Sequence, residues 1–166
     1  MSGEGRAQRI LITRPANTTA YSASDGIGNA PANQPSGAAD CRLEFTKLLT
    51  PGVPFLIMSA TLEYHVVALP VGFTATLELY NALPTAVADN AAWDFVSGDR
   101  GRHVGSINFG APVDRGSTLK VELDSLNKAI LTGATRSLFG ILVTPAGFTP
   151  AGNSETLAVT LAGAPL

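Results

Sequence analysis

Apolar and polar residues alternate with period two over several short segments, and Gly, Pro, Asn and Asp separate those segments. Such alternation gives a strand one face for a core and one for water. The clearest example is residues 116–124, where Leu119, Val121 and Leu123 alternate with Thr118, Lys120, Glu122 and Asp124. Residues 72–80 repeat the device, with Phe73, Ala75, Leu77 and Leu79 facing inward and Thr74, Thr76, Glu78 and Tyr80 outward. Residues 41–47 place Cys41, Leu43 and Phe45 on one side, and Leu157, Val159 and Leu161 do the same near the C-terminus. Two further runs, 55–69 and 138–143, are apolar at both parities, as expected of central strands covered on both faces. Shorter strand candidates are 9–13 and 103–109.

About eight short strands joined by turn-forming residues predict an all-β fold: an antiparallel two-sheet sandwich, with the jelly roll as the expected topology. No convincing amphipathic helix appears, and residues 125–131 suit one helical turn or a short connection equally well. At 166 residues the chain has the length of one domain with a substantial core. Within it, residues 1–40 are expected to form an N-terminal strand and an extended irregular arm, and 41–166 the sandwich. Residues 15–40 contain almost no large apolar side chain, and so long a structureless stretch is unusual inside a compact domain. They read either as a surface loop or as an arm that orders on a neighbouring subunit. Residues 81–102 read as a long inter-strand loop with one large anchor, Trp93.

Composition narrows the function. Apolar residues make up 45% of the chain and charged residues 14%, which excludes a charge-rich disordered segment. The low charge suggests a surface partly covered by other proteins. Eleven Lys and Arg against thirteen Asp and Glu give a net charge of -2, without the electrostatic footprint of a nucleic-acid-binding protein. A single cysteine, Cys41, excludes an intrachain disulfide and a cysteine-based zinc cluster. No run approaches the roughly 20 apolar residues that span a bilayer, and the N-terminus lacks a secretory signal pattern. Synthesis in the cytoplasm from Met1, with no membrane partner, is the expectation.

Candidate chemistry is sparse. A hydroxyl nucleophile needs an imidazole oriented by a carboxylate, and the chain offers only His65 and His103, each inside a strand-like run. No hydrolase, zinc-protease or nucleotide-binding motif occurs in a supporting context, so the chain is expected not to be an enzyme and to carry no cofactor. Asp89, Asp94 and Asp99 could supply hard oxygen ligands to calcium, although their spacing does not match an EF-hand and such residues also stabilise turns. Trp93 reads as a buried loop anchor or as a sugar-stacking platform. Cys41 reads as an inert core thiol.

Three segments carry a resemblance: 12–29 (ITRPANTTAYSASDGIGN), 79–105 (LYNALPTAVADNAAWDFVSGDRGRHVG) and 137–150 (SLFGILVTPAGFTP). They resemble a group of tailed-bacteriophage virion proteins encoded near the major capsid protein, and the likeness runs from about residue 12 to the C-terminus. The resemblance implies a structural component of the particle, of the head decoration or cement type, on the capsid exterior. Its implied partners are the major capsid protein and copies of itself, with a trimer preferred over a dimer. Contact candidates are Arg14, Pro15, Asn17, Tyr21, Asp25, Trp93, Arg100 and Arg102. A neck or tail component and a carbohydrate-binding sandwich on the virion surface are the alternatives.

Overall fold

A computed structural model of the chain describes residues 4–30, 40–46 and 48–166. Met1, Lys47 and the part of the expected arm at 31–39 lie outside the described residues. Eleven strands form among those described: β1 (Arg6–Thr13), β2 (Asp25–Gly26), β3 (Arg42–Phe45), β4 (Phe55–Tyr64), β5 (Ala75–Tyr80), β6 (His103–Gly110), β7 (Val113–Asp114), β8 (Leu119–Leu123), β9 (Lys128–Ile130), β10 (Leu138–Thr144) and β11 (Thr156–Pro165). A 3-10 turn at Ser97–Asp99 interrupts the long loop between β5 and β6.

The first sheet runs β1-β11-β4-β8-β7, with β9 also on β4. The second runs β2-β10-β5-β6, and β3 shares the β2 edge of β10. Every pairing is antiparallel. Along the chain β1, β4, β8 and β11 lie in one sheet and β3, β5, β6 and β10 in the other, so the connections cross repeatedly from sheet to sheet. Four-strand orders of β1-β11-β4-β8 and β3-β10-β5-β6 are two nested Greek keys, which is the jelly roll.

The sequence periodicity explains which faces meet. Ile12, Leu157, Val159, Leu161, Leu62 and Tyr64 from the first sheet pack on Leu43, Phe45, Leu77, Leu79, Ile107, Leu138 and Leu142 from the second. Phe55, Phe73 and Phe109 fill the same space, leaving the sandwich interior occupied by side chains.

The expectation for 55–69 needs correcting. That run is apolar at both parities because Phe55 and Ile57 face the core before a bulge at Met58, and Ala60, Leu62 and Tyr64 face it afterwards. An extra residue in one strand reverses the inward parity. The strand ends at Tyr64, so Val67 and Leu69 belong to an exposed loop instead of a doubly covered strand. Residues 125–131 likewise form no helical turn. Ser125 and Asn127 take left-handed backbone angles (φ 59° and 47°), the Leu126 amide bonds the Met58 carbonyl, and the chain returns to β4 as β9.

By contrast, β10 is buried at all seven positions. Leu138 and Leu142 face the core, while Phe139, Ile141 and Val143 join Cys41 and Tyr80 in a smaller cluster on the outer face of the second sheet. Val87 and Trp93, from the loop 81–102, close over that cluster. Cys41 therefore sits outside the sheet and not on the core face with Leu43 and Phe45, because it precedes β3 and turns toward the loop.

Residues 14–30 differ most from an extended arm. Tyr21 and Ile27 are buried in the main core, and β2 extends the second sheet. The Tyr21 amide bonds the Phe148 carbonyl (2.8 Å), the Ile27 amide the Leu142 carbonyl (2.8 Å) and the Asn29 amide the Asp40 carbonyl (2.9 Å). Few apolar residues suffice to hold this segment because its backbone is paired.

Candidate functional site

Two features bring together side chains from distant parts of the chain. The first is a buried polar network at the end of the sandwich where β1, β4 and β10 give way to loops. Arg14 is fully buried, and its Nε donates to the Tyr21 hydroxyl (2.9 Å), which in turn donates to Asp89 Oδ1 (2.6 Å). The Gly28 amide donates to the same carboxylate oxygen (2.8 Å). On its other side Arg14 Nη1 lies 3.6 Å from Glu155 Oε2, an oxygen that also accepts the Tyr64 hydroxyl, and the Gly152 amide donates to Oε1 (2.6 Å). The guanidinium carbon stands 4.9 Å from the centre of the Tyr21 ring.

Burial raises the pKa of Tyr21 above the ordinary phenol value, and the hydrogen bond to Asp89 adds to the shift. Burial does the same for Tyr64, helped by Glu155. Both phenols thus stay protonated as donors. The arrangement sets one buried cation against Glu155 and links it through the Tyr21 hydroxyl to Asp89, and its work is to fix the chain at 14–30.

An aromatic ladder continues from it. Tyr21 stacks on Phe148 (4.8 Å between centroids), Phe148 meets Phe73 edge-on (4.9 Å), and Phe73 meets Tyr64 (4.7 Å). These four rings come from the loops after β1, β4 and β10 and from the end of β4 itself, so they join three loops into one body.

The second feature is the loop 81–102, laid on the outer face of the second sheet. The Trp93 indole donates to the Tyr80 hydroxyl (3.1 Å), Trp93 stacks on Phe95 (6.0 Å), and Phe95 meets His103 edge-on (4.8 Å). His103 Nε2 lies 2.8 Å from Glu78 Oε2. Trp93 is consequently an anchor for the loop, with its indole N–H engaged by Tyr80 and its ring packed on Phe95. A cleft of about 190 Å³ runs beneath the loop, between Thr85, Val87, Trp93, Asp99 and Ile141.

The three calcium candidates do not converge. Asp89 is taken up by Tyr21 and Gly28, and buried Asp99 accepts the Thr85 amide (3.0 Å to Oδ2) with Arg102 3.9 Å away. Asp94 is exposed. Among the described residues no group of three or more His, Cys, Asp or Glu is placed to hold a metal ion. Asp89 and Asp99 instead accept backbone amides from distant parts of the chain, Gly28 and Thr85.

His65 stands between a hydroxyl and a carboxylate, with Nδ1 2.8 Å from Thr156 Oγ1 and Nε2 3.4 Å from Glu63 Oε2. Arg9 takes the same Glu63 oxygen at 2.7 Å and holds that carboxyl below its usual pKa range. This is a surface ion-pair group on the outer face of the first sheet, in which Arg9 and not His65 dominates the carboxylate.

Of the expected contact residues, Arg14, Tyr21 and Asp25 are internal: a fully desolvated arginine and its phenol partner serve the fold, and Asp25 accepts the Ser22 amide (2.6 Å). Trp93 is half-buried. Pro15 and Asn17 lie partly exposed at the loop end, and Arg100 and Arg102 are exposed near the opposite end. Sequence reasoning missed Glu155 as the partner of Arg14 and Asp89 as that of Tyr21, since 68 and more residues separate each pair and no local spacing encodes the pairing.

Cys41 is fully buried, with Sγ 3.3 Å from the Ala88 carbonyl, and burial raises the thiol pKa well above its usual value, with Asp89, Asp40 and Asp25 adding to the shift. The nucleophile is the thiolate. An aromatic disulfide reagent is therefore expected to leave Cys41 unmodified in the native protein and to titrate one thiol after denaturation; rapid native labelling would contradict this packing.

No protein-family model matches the chain, and no curated protein matches it in sequence. Among solved structures, viral capsid chains match it with low scores. A chain of Desmodium yellow mottle tymovirus gives a TM-score of 0.29 at 12% identity, covering 99% of this chain and 89% of that one. One of turnip yellow mosaic virus gives 0.29 at 15% identity, covering 100% and 84%. One from heated full particles of Israeli acute paralysis virus gives 0.32 at 9% identity, covering 98% and 71%.

Proposed function

We propose that this chain is a structural protein of a tailed-phage particle, one that binds the assembled capsid and stabilises or decorates it. The observation that carries the reading is that the three segments resembling tailed-phage virion proteins contact one another in the fold. Arg14 and Tyr21 come from the first, Tyr80, Asp89 and Trp93 from the second, and Ile141, Val143 and Phe148 from the third. What they build is packing: a filled jelly roll with a fixed loop end and a covered outer sheet.

Jelly rolls also serve as lectins and cupins, and fold alone assigns no function. Here the interior is occupied by Phe45, Phe55, Phe73 and their neighbours, and the Trp93 ring is held by Tyr80 and Phe95. Both features favour a solid module over one that encloses a ligand. Arg100 and Arg102, exposed at the end of the sandwich away from residues 15–24, are the contacts through which it meets the shell.

Such a protein acts by mass action: many copies bind the closed shell better than its separated subunits and so shift the balance toward the intact particle. Density-gradient fractionation of particles from infected cells tests this. The chain is expected in the head fraction at a fixed number of copies per capsid subunit. Recovery with detached tails would assign it to the neck or tail, and recovery only with soluble protein would refute the virion role.

A further inference from the structure

We infer that the loop end built around Phe148 is the surface through which copies of this chain associate with one another. Three stretches meet there: residues 15–24, 66–77 and 145–154. None contains an Asp, Glu, Lys or Arg, in a chain that is 14% charged. Of the charges that flank these stretches, Arg14 and Glu155 are buried against each other and Asp25 is buried as well.

The tip of the middle loop is apolar and open. Val67 is 76% exposed, Leu69 39% and Val71 94%. Single exposed apolar residues are ordinary on a protein surface, but three within five residues on one tip form a patch.

The patch is also rigid. The Phe73 amide closes a turn on the Pro70 carbonyl (3.1 Å), and Phe73 is locked into the aromatic ladder. Gly72, at φ +84°, lies so close to the next loop that a Cβ would stand 2.6 Å from the Gly147 carbonyl oxygen. Gly147 is pressed in turn on Tyr21, whose carbonyl oxygen would be 2.7 Å from its Cβ. A surface already fixed loses little conformational freedom when it binds.

Neutrality selects the partner. Around a symmetry axis each copy presents the same loops, so a charge near the axis meets its own sign in the neighbouring copy, which is unfavourable. An uncharged apolar tip is self-compatible. The fourth connection at this end, which begins where Gly110 pairs with Ala75, carries exposed Val113 and one charge of each sign, Asp114 and Arg115. These suit a rim at which opposite charges from adjacent copies meet. The partner is accordingly a second copy of this chain.

This deepens the shell reading, so its test uses the purified full chain in solution with no particle present. Sedimentation velocity and light scattering from micromolar to sub-millimolar concentration are expected to show a reversible oligomer. The Val67→Asp/Val71→Asp variant should weaken association by about 100-fold, with unchanged circular dichroism. Leu131→Asp, an exposed site away from the three charge-free stretches, should leave it intact. A wild-type chain that stays monomeric throughout would overturn the inference, as would association that the double variant leaves unaltered. Because neither result depends on capsid binding, failure here is distinct from failure of the shell assignment.

Discussion

Replacing Arg14 by methionine should lower the stability of the fold by about 3–5 kcal/mol, because it leaves the buried Glu155 side chain without its counter-charge. In a chain of this length that corresponds to a melting temperature lower by roughly 10 °C. The Glu155 side chain is 7% exposed, and with Arg14 gone it keeps the Tyr64 hydroxyl and the Gly152 amide but no cation. Tyr21 loses its donor while Asp89 still draws on its proton. The double variant Arg14→Met/Glu155→Gln should recover most of the loss, since removing both members of a buried pair is often close to neutral. Equilibrium denaturation in urea measures the cycle. Additive losses in the double variant would mean that Arg14 acts through packing of its stem and not through charge.

Phe148→Ala is expected to cost about 3–5 kcal/mol, the usual range for truncating a buried aromatic ring. Phe148 occupies the middle of the ladder, stacked on Tyr21 and edge-on to Phe73, so its removal opens a cavity shared by three loops. Phe148→Leu should cost less, because part of the volume remains. The same denaturation experiment decides the matter. A loss below about 1 kcal/mol, typical of a surface substitution, would show that the loops are not joined through this ring. The variant should also weaken self-association, since the apolar tip at Val67, Leu69 and Val71 owes its fixed shape to Phe73 and Gly72, which rest on Phe148 and Gly147.

The sandwich was largely legible in the sequence because period-two alternation reports directly on which residues face a core. Leu119, Ala75, Leu77 and Leu79, and Leu157, Val159 and Leu161 all lie inside as their spacing predicts. Two-sided apolar runs proved ambiguous for a physical reason. At 138–144 both faces are covered, the second by the 81–102 loop; at 55–69 a bulge at Met58 and an exposed loop produce the same pattern with one face buried. The segment 14–30 looked like an arm because it is poor in apolar residues, yet Tyr21 and Ile27, the only large apolar side chains within it, are both in the core. Those two residues were the available signal. The rest of its anchoring comes from Asp89, Leu142, Phe148 and Glu155, contacts made across long sequence separations that no local pattern encodes. Asp99 likewise works at a distance, its carboxylate accepting the Thr85 amide fourteen residues earlier in the chain.

The most direct test of the proposed role is titration of the purified chain onto expanded phage heads that lack it, followed by sedimentation of the heads. Saturable binding at a simple ratio to the major capsid subunit is expected, together with a higher melting temperature for the decorated heads. Heads that sediment without the chain at saturating concentration, and melt unchanged, would contradict that role.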